Sequence, residues 1–258
     1  MLYLGIVVDK TLLYKEHIKK AAEKADRIGG QLVRIMPNVG GPKELRCRLL
    51  SSVVHSGLLY GAPSWADTLD YVPKNAKILN QAQRKVLLCH IRAYRTVSEV
   101  ATNILSSTPL ADIIARDREM AFVRRRIQPD VEVKTSARAN APSRNEIMLR
   151  SWKNRIETAE TGAWTRTLVR DIGSWCNREH GQMMFHMTQM MSGHRCFSHY
   201  LHRIGKENSD ACHHCIDGLD DARHTLLECD AWESERSTLS RSLGGPIRTN
   251  SCRQHDCG

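Results

Sequence analysis

Four residues of the types that bind zinc stand at paired spacing in the last quarter of the sequence. Two residues separate the first cysteine from the second, eight separate the second from a histidine, and four separate that histidine from a third cysteine, the set being Cys212, Cys215, His224 and Cys229. Three thiolates and one imidazole complete the tetrahedral coordination of Zn²⁺ and leave no position open for a substrate. The pattern therefore predicts one structural zinc ion, whose binding stabilises a short segment.

Two other readings of this stretch compete with the four-ligand site. His213 and His214 are alternative ligands, but both lie inside the turn between the first two cysteines, so we rank them below His224. The second reading is a pair of free cysteines beside an unrelated surface histidine. Four ligand-type residues at paired spacing rarely coincide by chance, and we therefore prefer the zinc site.

The net positive charge of the chain resides in its first half. The net charge is +10, and residues 1–128 carry 21 Lys and Arg against 11 Asp and Glu, whereas residues 129–258 carry 17 of each. Residues 206–258, which contain the cysteine and histidine pattern, hold six basic against ten acidic residues. A basic half favours a polyanionic partner, of which nucleic acid is the commonest.

Two groups of basic residues in this half are candidates for phosphate binding. Lys19, Lys20 and Lys24 belong to an amphipathic stretch, and Arg124, Arg125 and Arg126 form an uninterrupted run. The arginine run has a second interpretation, a solvated helix end whose charge complements the helix dipole. Its position in the basic half favours a phosphate contact.

Several classes of protein are disfavoured by the composition. No apolar run approaches the ~20 residues that a membrane-spanning helix needs, so we expect no membrane partner. The apolar residues 2–8 lack a preceding basic region and a following cleavage site, and we do not expect a signal peptide. Of nine cysteines, three belong to the zinc pattern and others stand singly in helical stretches, which indicates a reducing, intracellular setting.

Apolar residues recur at intervals of three and four along most of the chain, which predicts a mostly α fold. Residues 3–8 are predicted to form one short buried strand. One predicted helix is expected to bury Leu45, Leu49, Val53 and Leu58. A later predicted helix is expected to bury Phe122. The domain prediction is a strand and helical unit over 1–127, a linker over 128–145, a helical spacer over 146–205, a zinc unit with its following helix over 206–243, and a disordered tail over 244–258.

Several short phrases of the sequence occur in the order known from one family. They are Tyr3-Leu4-Gly5-Ile6, Ser56-Gly57-Leu58-Leu59-Tyr60-Gly61-Ala62-Pro63 with Trp65, Trp164-Thr165, Ser192-Gly193-His194, and the Cys-Cys-His-Cys set followed by Trp232. Together they resemble non-LTR (LINE-type) retrotransposon reverse transcriptases of the jockey-like and ribosomal-DNA-inserting groups. The similarity runs from the segment just after the polymerase palm to the terminal zinc knuckle.

This resemblance implies a fold and a role for each part. Residues 1–127 are expected to be a thumb-like helical bundle that holds the RNA and DNA of the template–primer through backbone contacts. A smaller helical unit would end in the Cys-Cys-His-Cys zinc knuckle. The palm and fingers of the parent polymerase would be partners, and the nucleus and cytoplasm the expected locations.

The family's polymerase chemistry depends on palm carboxylates that are not found in this sequence. No Tyr-x-Asp-Asp occurs, and Asp220-Asp221 stands between zinc ligands, where we interpret it as a solvated loop. We therefore expect no catalysis by this chain on its own and assign no catalytic residue. The alternative function is a host-recruited zinc-binding interaction module that does not bind nucleic acid.

Overall fold

The computed structural model describes residues 1–35, 44–127, 144–179, 182–194, 196–215 and 218–245. Within these ranges the chain is mostly helical, which confirms the predicted fold class. Its helices are, in chain order, α1 (Lys15–Ile35), α2 (Glu44–Leu58), α3 (Pro73–His90), α4 (Glu99–Leu105), α5 (Ala111–Ile127), α6 (Arg144–Glu157), α7 (Ala163–Leu168), α8 (Ile172–Cys176), α9 (Phe185–Ser192), α10 (Ser198–Arg203) and α11 (Glu233–Leu243). None of these helices is both long and apolar enough to cross a bilayer.

The first residues form a small hairpin rather than one buried strand. β1 (Leu2–Tyr3) pairs antiparallel with β2 (Ile6–Val7), and Leu2 lies opposite Val7. Gly5 has a φ of +81°, a conformation that favours glycine and lets the chain reverse within two residues. Tyr3 and Leu4 are 59% and 74% exposed, so the prediction of one buried strand over residues 3–8 is wrong.

The first core lies between α1, α2 and α3, with two short 3₁₀ turns (Ala62–Ser64 and Ala66–Leu69) after α2. Ile18, Val54 and Leu79 are fully buried there. Trp65 is also fully buried, and its indole Nε1 donates to the Tyr60 carbonyl at 3.0 Å. Complete burial of each such aliphatic side chain stabilises the fold by about 1.5–3 kcal/mol.

Along most of α2, the face that is buried is the one opposite to the prediction. Leu45, Leu49 and Val53 are 71%, 66% and 54% exposed, and only Leu58 of the predicted set is buried. The buried positions are Cys47, Ser51, Val54 and Leu58. The prediction for the other three is wrong because small residues on the buried face let α2 approach its neighbours, which leaves the larger leucines outside.

Helices from both sides of residues 128–143 share two further cores. In one, Leu88, Ile91 and Leu105 pack with Met183 and Met191. In the other, residues of α4 and α5 surround the fully buried Trp152 of α6, together with Ile156 and Ile172. The predicted linker falls largely outside the described residues, as does the predicted tail after residue 245. The domain boundaries therefore stay a prediction.

α5 is buried only along its first turns. Its buried residues end at Asp117, and Phe122 is 42% exposed, so the prediction that Phe122 faces the core is wrong. The Arg126 guanidinium lies 5.2 Å from the centre of the Phe122 ring, a cation–π contact at the surface. The last turns of α5 therefore present apolar and basic side chains together to solvent.

Candidate metal centre

The four predicted ligands come together at one place. Their ligand atoms all lie within 4.8 Å of one another. The sulfurs of Cys212 and Cys229 are 3.9 Å apart, and Cys215 Sγ lies 3.2 Å from His224 Nε2. Tetrahedral Zn²⁺ with Zn–S bonds of about 2.3 Å places two sulfurs about 3.8 Å apart, and a sulfur and an imidazole nitrogen about 3.6 Å apart. The donor set and its spacing therefore fit a zinc ion.

A tight turn presents the first two cysteines. Ala211 and Leu219 form an isolated antiparallel bridge, and the Cys212 backbone N–H donates to the Gly218 carbonyl at 3.0 Å. Burial opposes ionisation of the Cys212 thiol, but the backbone N–H groups of His214 and Cys215 donate to its sulfur and lower its pKa from 9.0 to about 7. A thiol of this kind is readily converted to the thiolate that binds metal.

One helical turn of the π type (His224–Glu228) begins at the candidate ligand His224 and is followed directly by Cys229. The Asp221 carboxylate accepts a 2.7 Å hydrogen bond from the His224 backbone N–H, which fixes the start of this turn. At its end, the Cys229 backbone N–H donates to the His224 carbonyl at 2.8 Å. Arg236 of α11 donates to the Cys229 carbonyl at 2.7 Å and thereby joins the turn to the last described helix.

Gly218 is required by the position of the histidine ligand. Its φ is +124°, and a Cβ at this position would lie 2.8 Å from His224 Cε1. Any other residue would displace the imidazole from the cluster.

Asp220 is a buried structural residue, so its interpretation as part of a solvated loop is wrong. It is 5% exposed, and its Oδ2 accepts hydrogen bonds from the Ser198 backbone N–H at 2.8 Å and from the Ser198 hydroxyl at 2.9 Å. Its Oδ1 accepts from the Thr225 hydroxyl at 3.0 Å. The carboxylate thus ties the cysteine turn to the start of α10 and to the turn that carries His224.

The imidazole rings of His213 and His214 do not belong to the cluster. Both are exposed. The His214 ring packs edge-on against Trp232 with the ring centroids 5.2 Å apart. The structure therefore groups the ligands that the sequence analysis ranked first and leaves out the two rivals.

The basic candidates are exposed and stand on two different helices. Lys19, Lys20 and Lys24 project from α1, and Lys20 Nζ lies 3.5 Å from the Glu16 carboxylate in a solvent-exposed pair of small energetic value. Arg124, Arg125 and Arg126 are exposed at the end of α5. Successive residues of a helix point about 100° apart, so the three guanidinium groups face different sides. Within the described residues α1 and α5 each pack on α3, and both contribute residues to the first core.

Comparison with known proteins bears on the origin of this arrangement. A 115 kDa protein of the type-1 retrotransposable element R1DM of Drosophila melanogaster is 24% identical over 91% of this chain and 24% of its own length. A Pol polyprotein of the R1 element of Bradysia coprophila is 26% identical, again over 91% of this chain and 24% of its own length. The chain is related to R1-type retrotransposon proteins. It spans about a quarter of the length of these two curated relatives.

A third R1-type relative matches over a larger share of its own length. It is the Pol polyprotein of the R1 4 element of Nasonia vitripennis, which is 25% identical over 95% of this chain and 64% of its own length. No family model matches the chain. No solved structure matches it either. The recognition of a non-LTR retrotransposon protein from the sequence phrases is confirmed by these R1-type relatives.

Proposed function

We propose that this chain holds the RNA–DNA template–primer of a retrotransposon RNA-directed DNA polymerase through the basic helices of residues 1–127. The observation that carries the proposal is the separation of charge, because the whole net charge of +10 resides in residues 1–128. Each of the six candidate lysines and arginines is exposed on α1 or at the end of α5. Exposed cations of this kind contact phosphates and do not read base sequence.

The distribution of the basic side chains suits a long, backbone-directed contact. α1 and α5 are separate helices that share α3 as a neighbour, so the cations stand on two helices and not on one. A duplex offers phosphates along its whole length, and separated contacts add to the affinity. This arrangement fits a surface that follows a duplex better than a pocket for a single phosphate.

We further propose that the zinc ion, when bound, has a structural role. The four donors would occupy all of its coordination positions and cross-link the cysteine turn to the turn that carries His224 and Cys229. The local core beneath these turns consists of Phe197, Tyr200 and Ala222, which is small for a stable unit. Metal binding would therefore contribute much of the folding free energy of this part.

The proposed function assigns no catalytic step to this chain. Two-metal polymerisation needs carboxylates that are free to bind divalent ions. The Asp220 oxygens accept hydrogen bonds from Ser198 and Thr225, and Asp221 accepts one from the His224 backbone. These carboxylates hold the cysteine turn and its neighbours in place through hydrogen bonds. Polymerisation would therefore be catalysed by other parts of the polymerase.

A binding measurement tests this proposal. The purified, zinc-loaded chain should bind RNA–DNA hybrids of unrelated sequence with equal affinity, and the affinity should fall steeply with salt concentration. Replacing Lys19, Lys20 and Lys24 with alanine should weaken binding alike for every sequence. Absence of binding, or binding to one sequence alone, would contradict the proposal.

A second candidate function is a zinc-binding interaction module that does not touch nucleic acid. The acidic character of residues 206–258, with ten acidic against six basic residues, favours it for that part of the chain. Under this function the alanine variants of the basic residues would leave every measured interaction unchanged. The hybrid-binding experiment therefore distinguishes the two candidates.

A further inference from the structure

An apolar groove of about 300 Å³ lies beside the cysteine and histidine cluster. α9, α10, the turn after His224 and α11 enclose it. The side chains that matter most for its apolar character are Met190, Phe197, Leu226, Trp232 and Leu239. Leu239 is 46% exposed, so the groove is open to solvent along α11.

One acidic and one basic residue border the groove. Glu235 stands at its edge and is exposed. Arg236 also borders the groove, but its guanidinium is held by the Glu233 carboxylate at 2.6 Å and by the Cys229 carbonyl. With ten acidic and six basic residues in 206–258, this part of the chain favours a ligand that is apolar and basic.

The chain itself offers such a surface on α2. Leu45, Leu49 and Val53 stand four residues apart, so they form one apolar stripe, here called the α2 stripe. The stripe is more than half exposed at every position and is about 12 Å long. The exposed Arg46 flanks it, within the half of the chain that carries the positive charge.

We infer that the α2 stripe of one copy of this chain docks in the apolar groove of a second copy. Both surfaces are apolar, and opposite charges stand at their edges, with Arg46 beside the stripe and Glu235 beside the groove. No residue of α2 lines the groove, and among the described helices α2 packs on α1 and α3. The contact therefore joins different molecules and goes beyond the proposed binding of nucleic acid.

The geometry of this contact determines the form of the assembly. Each copy uses two different surfaces, so a pair joined by one such contact leaves one stripe and one groove open. Association should therefore proceed from dimers to longer chains as the protein concentration rises. The contact is small and of the transient class, and salt should weaken it because opposite charges flank the apolar residues.

Sedimentation velocity of the zinc-loaded full chain, without nucleic acid, tests this inference. The wild type should form dimers and larger species in a concentration-dependent way. Leu49→Asp places a carboxylate on the stripe and Leu239→Asp places one in the groove, and burial of an unpaired charge there is strongly unfavourable. Each variant alone should remain monomeric. Leu2→Asp, at an exposed position of the hairpin, should associate like the wild type.

Mixing the two variants gives the decisive result. Leu49→Asp keeps an intact groove and Leu239→Asp keeps an intact stripe, so the mixture should form one-to-one complexes that grow no further. Leu45→Asp and Glu235→Lys provide a second variant for each surface, should the first alter zinc content or circular dichroism. A wild type that stays monomeric, or a mixture that stays monomeric, would overturn the inference. A third outcome would also overturn the inference: the wild type is monomeric and binds single-stranded RNA, and Leu239→Asp no longer binds that RNA.

Discussion

Asp221 accepts a 2.7 Å hydrogen bond from the backbone N–H of His224, three residues further along the chain. This contact orients the first turn of the segment that carries the histidine and the last cysteine. On the other side of the imidazole, Gly218 approaches so closely that a Cβ would lie 2.8 Å from His224 Cε1. The imidazole is thus positioned from two directions by the polypeptide itself.

The close approach of Gly218 to His224 leads to the first prediction. Gly218→Ala should push the imidazole out of the cluster and lower zinc affinity by at least about tenfold, the scale of disturbed ligand support. Competition with a chromophoric chelator measures the affinity. Gly205→Ala is the matched control, because Gly205 also has a positive φ but nothing lies within 4 Å of its Cβ position. Equal zinc affinity of the two variants would contradict the assigned role of Gly218.

The ligand set leads to the second prediction. Cys229→Ser should lower the zinc content of the purified protein well below one ion per chain and loosen residues 206–236, because the metal contributes to their folding. Metal analysis and hydrogen exchange measure the two effects. His213→Ala, His214→Ala and Cys196→Ser should retain the zinc content of the wild type, since these side chains are exposed and outside the cluster. Full metal content in Cys229→Ser would show that this ligand is wrongly assigned.

The half-buried His55 and the buried His90 lead to the third prediction, a loss of stability in acid. Burial, reinforced by the charge of Arg118, lowers the pKa of His55 to about 4. Burial likewise lowers the pKa of His90 to about 4, with smaller contributions from Arg48, His55 and Arg178. The unfolded chain has the ordinary value of 6.5 and binds protons first, so stability is full above that pH and is lost as the pH falls toward 4.

Urea unfolding at pH 7.5 and pH 5 measures this effect. Each histidine should contribute about 2 kcal/mol to the loss over this interval. Metal release also destabilises the protein in acid, so the comparison is made between the wild type and His90→Gln. Between the two pH values, the free energy of unfolding should fall less in the variant than in the wild type. The difference should equal the contribution of one histidine. The same pH dependence in both proteins would show that His90 is not responsible.

The sequence predicted some parts of this molecule better than others. The helix with the Ser98 cap was predictable because the Ser98 side chain accepts from the Ala101 backbone N–H at 3.2 Å, a purely local interaction. The buried face of α2 was not, because Cys47 and Ser51 are buried by the close approach of other helices. Periodicity identifies an apolar stripe but does not say whether the stripe meets a neighbour.

The candidate metal centre shows the same contrast. The grouping of the four candidate ligands was predictable from their spacing alone, since metal coordination restricts the residue types and the intervals between them. Asp220 was not, because its role depends on Ser198, which is 22 residues away in sequence. From the sequence alone, two adjacent carboxylates predict a solvated loop, because their hydrogen-bond partners are distant in sequence. Asp221 could have been recognised, because an Asp three residues before a helical residue is a common N-cap pattern.

The absence of assigned catalytic carboxylates leads to the fourth prediction. The purified chain should not extend a primer on an RNA template with Mg²⁺ or Mn²⁺. Asp220 and Asp221 are occupied by hydrogen bonds within the protein, so they lack the freedom that two-metal chemistry requires. Primer extension that survives repurification and is lost in Asp221→Asn would contradict this prediction.

The fifth prediction concerns the role of the arginines at the end of α5 in phosphate binding. Replacing Arg124, Arg125 and Arg126 with alanine removes three exposed positive charges from the basic half of the chain. The control variant replaces Lys153, Lys206 and Arg241, which are equally exposed but lie in the half with no net charge. Both variants therefore change the net charge by the same amount.

The salt dependence of binding to an RNA–DNA hybrid tests the central claim most directly. Each phosphate contact contributes roughly −0.9 to the slope of log affinity against log salt on duplex DNA, so the arginine variant should flatten the slope by as much as about 2.7. The control variant should keep the slope of the wild type. The claim is contradicted if the control variant flattens the slope and the arginine variant leaves it unchanged.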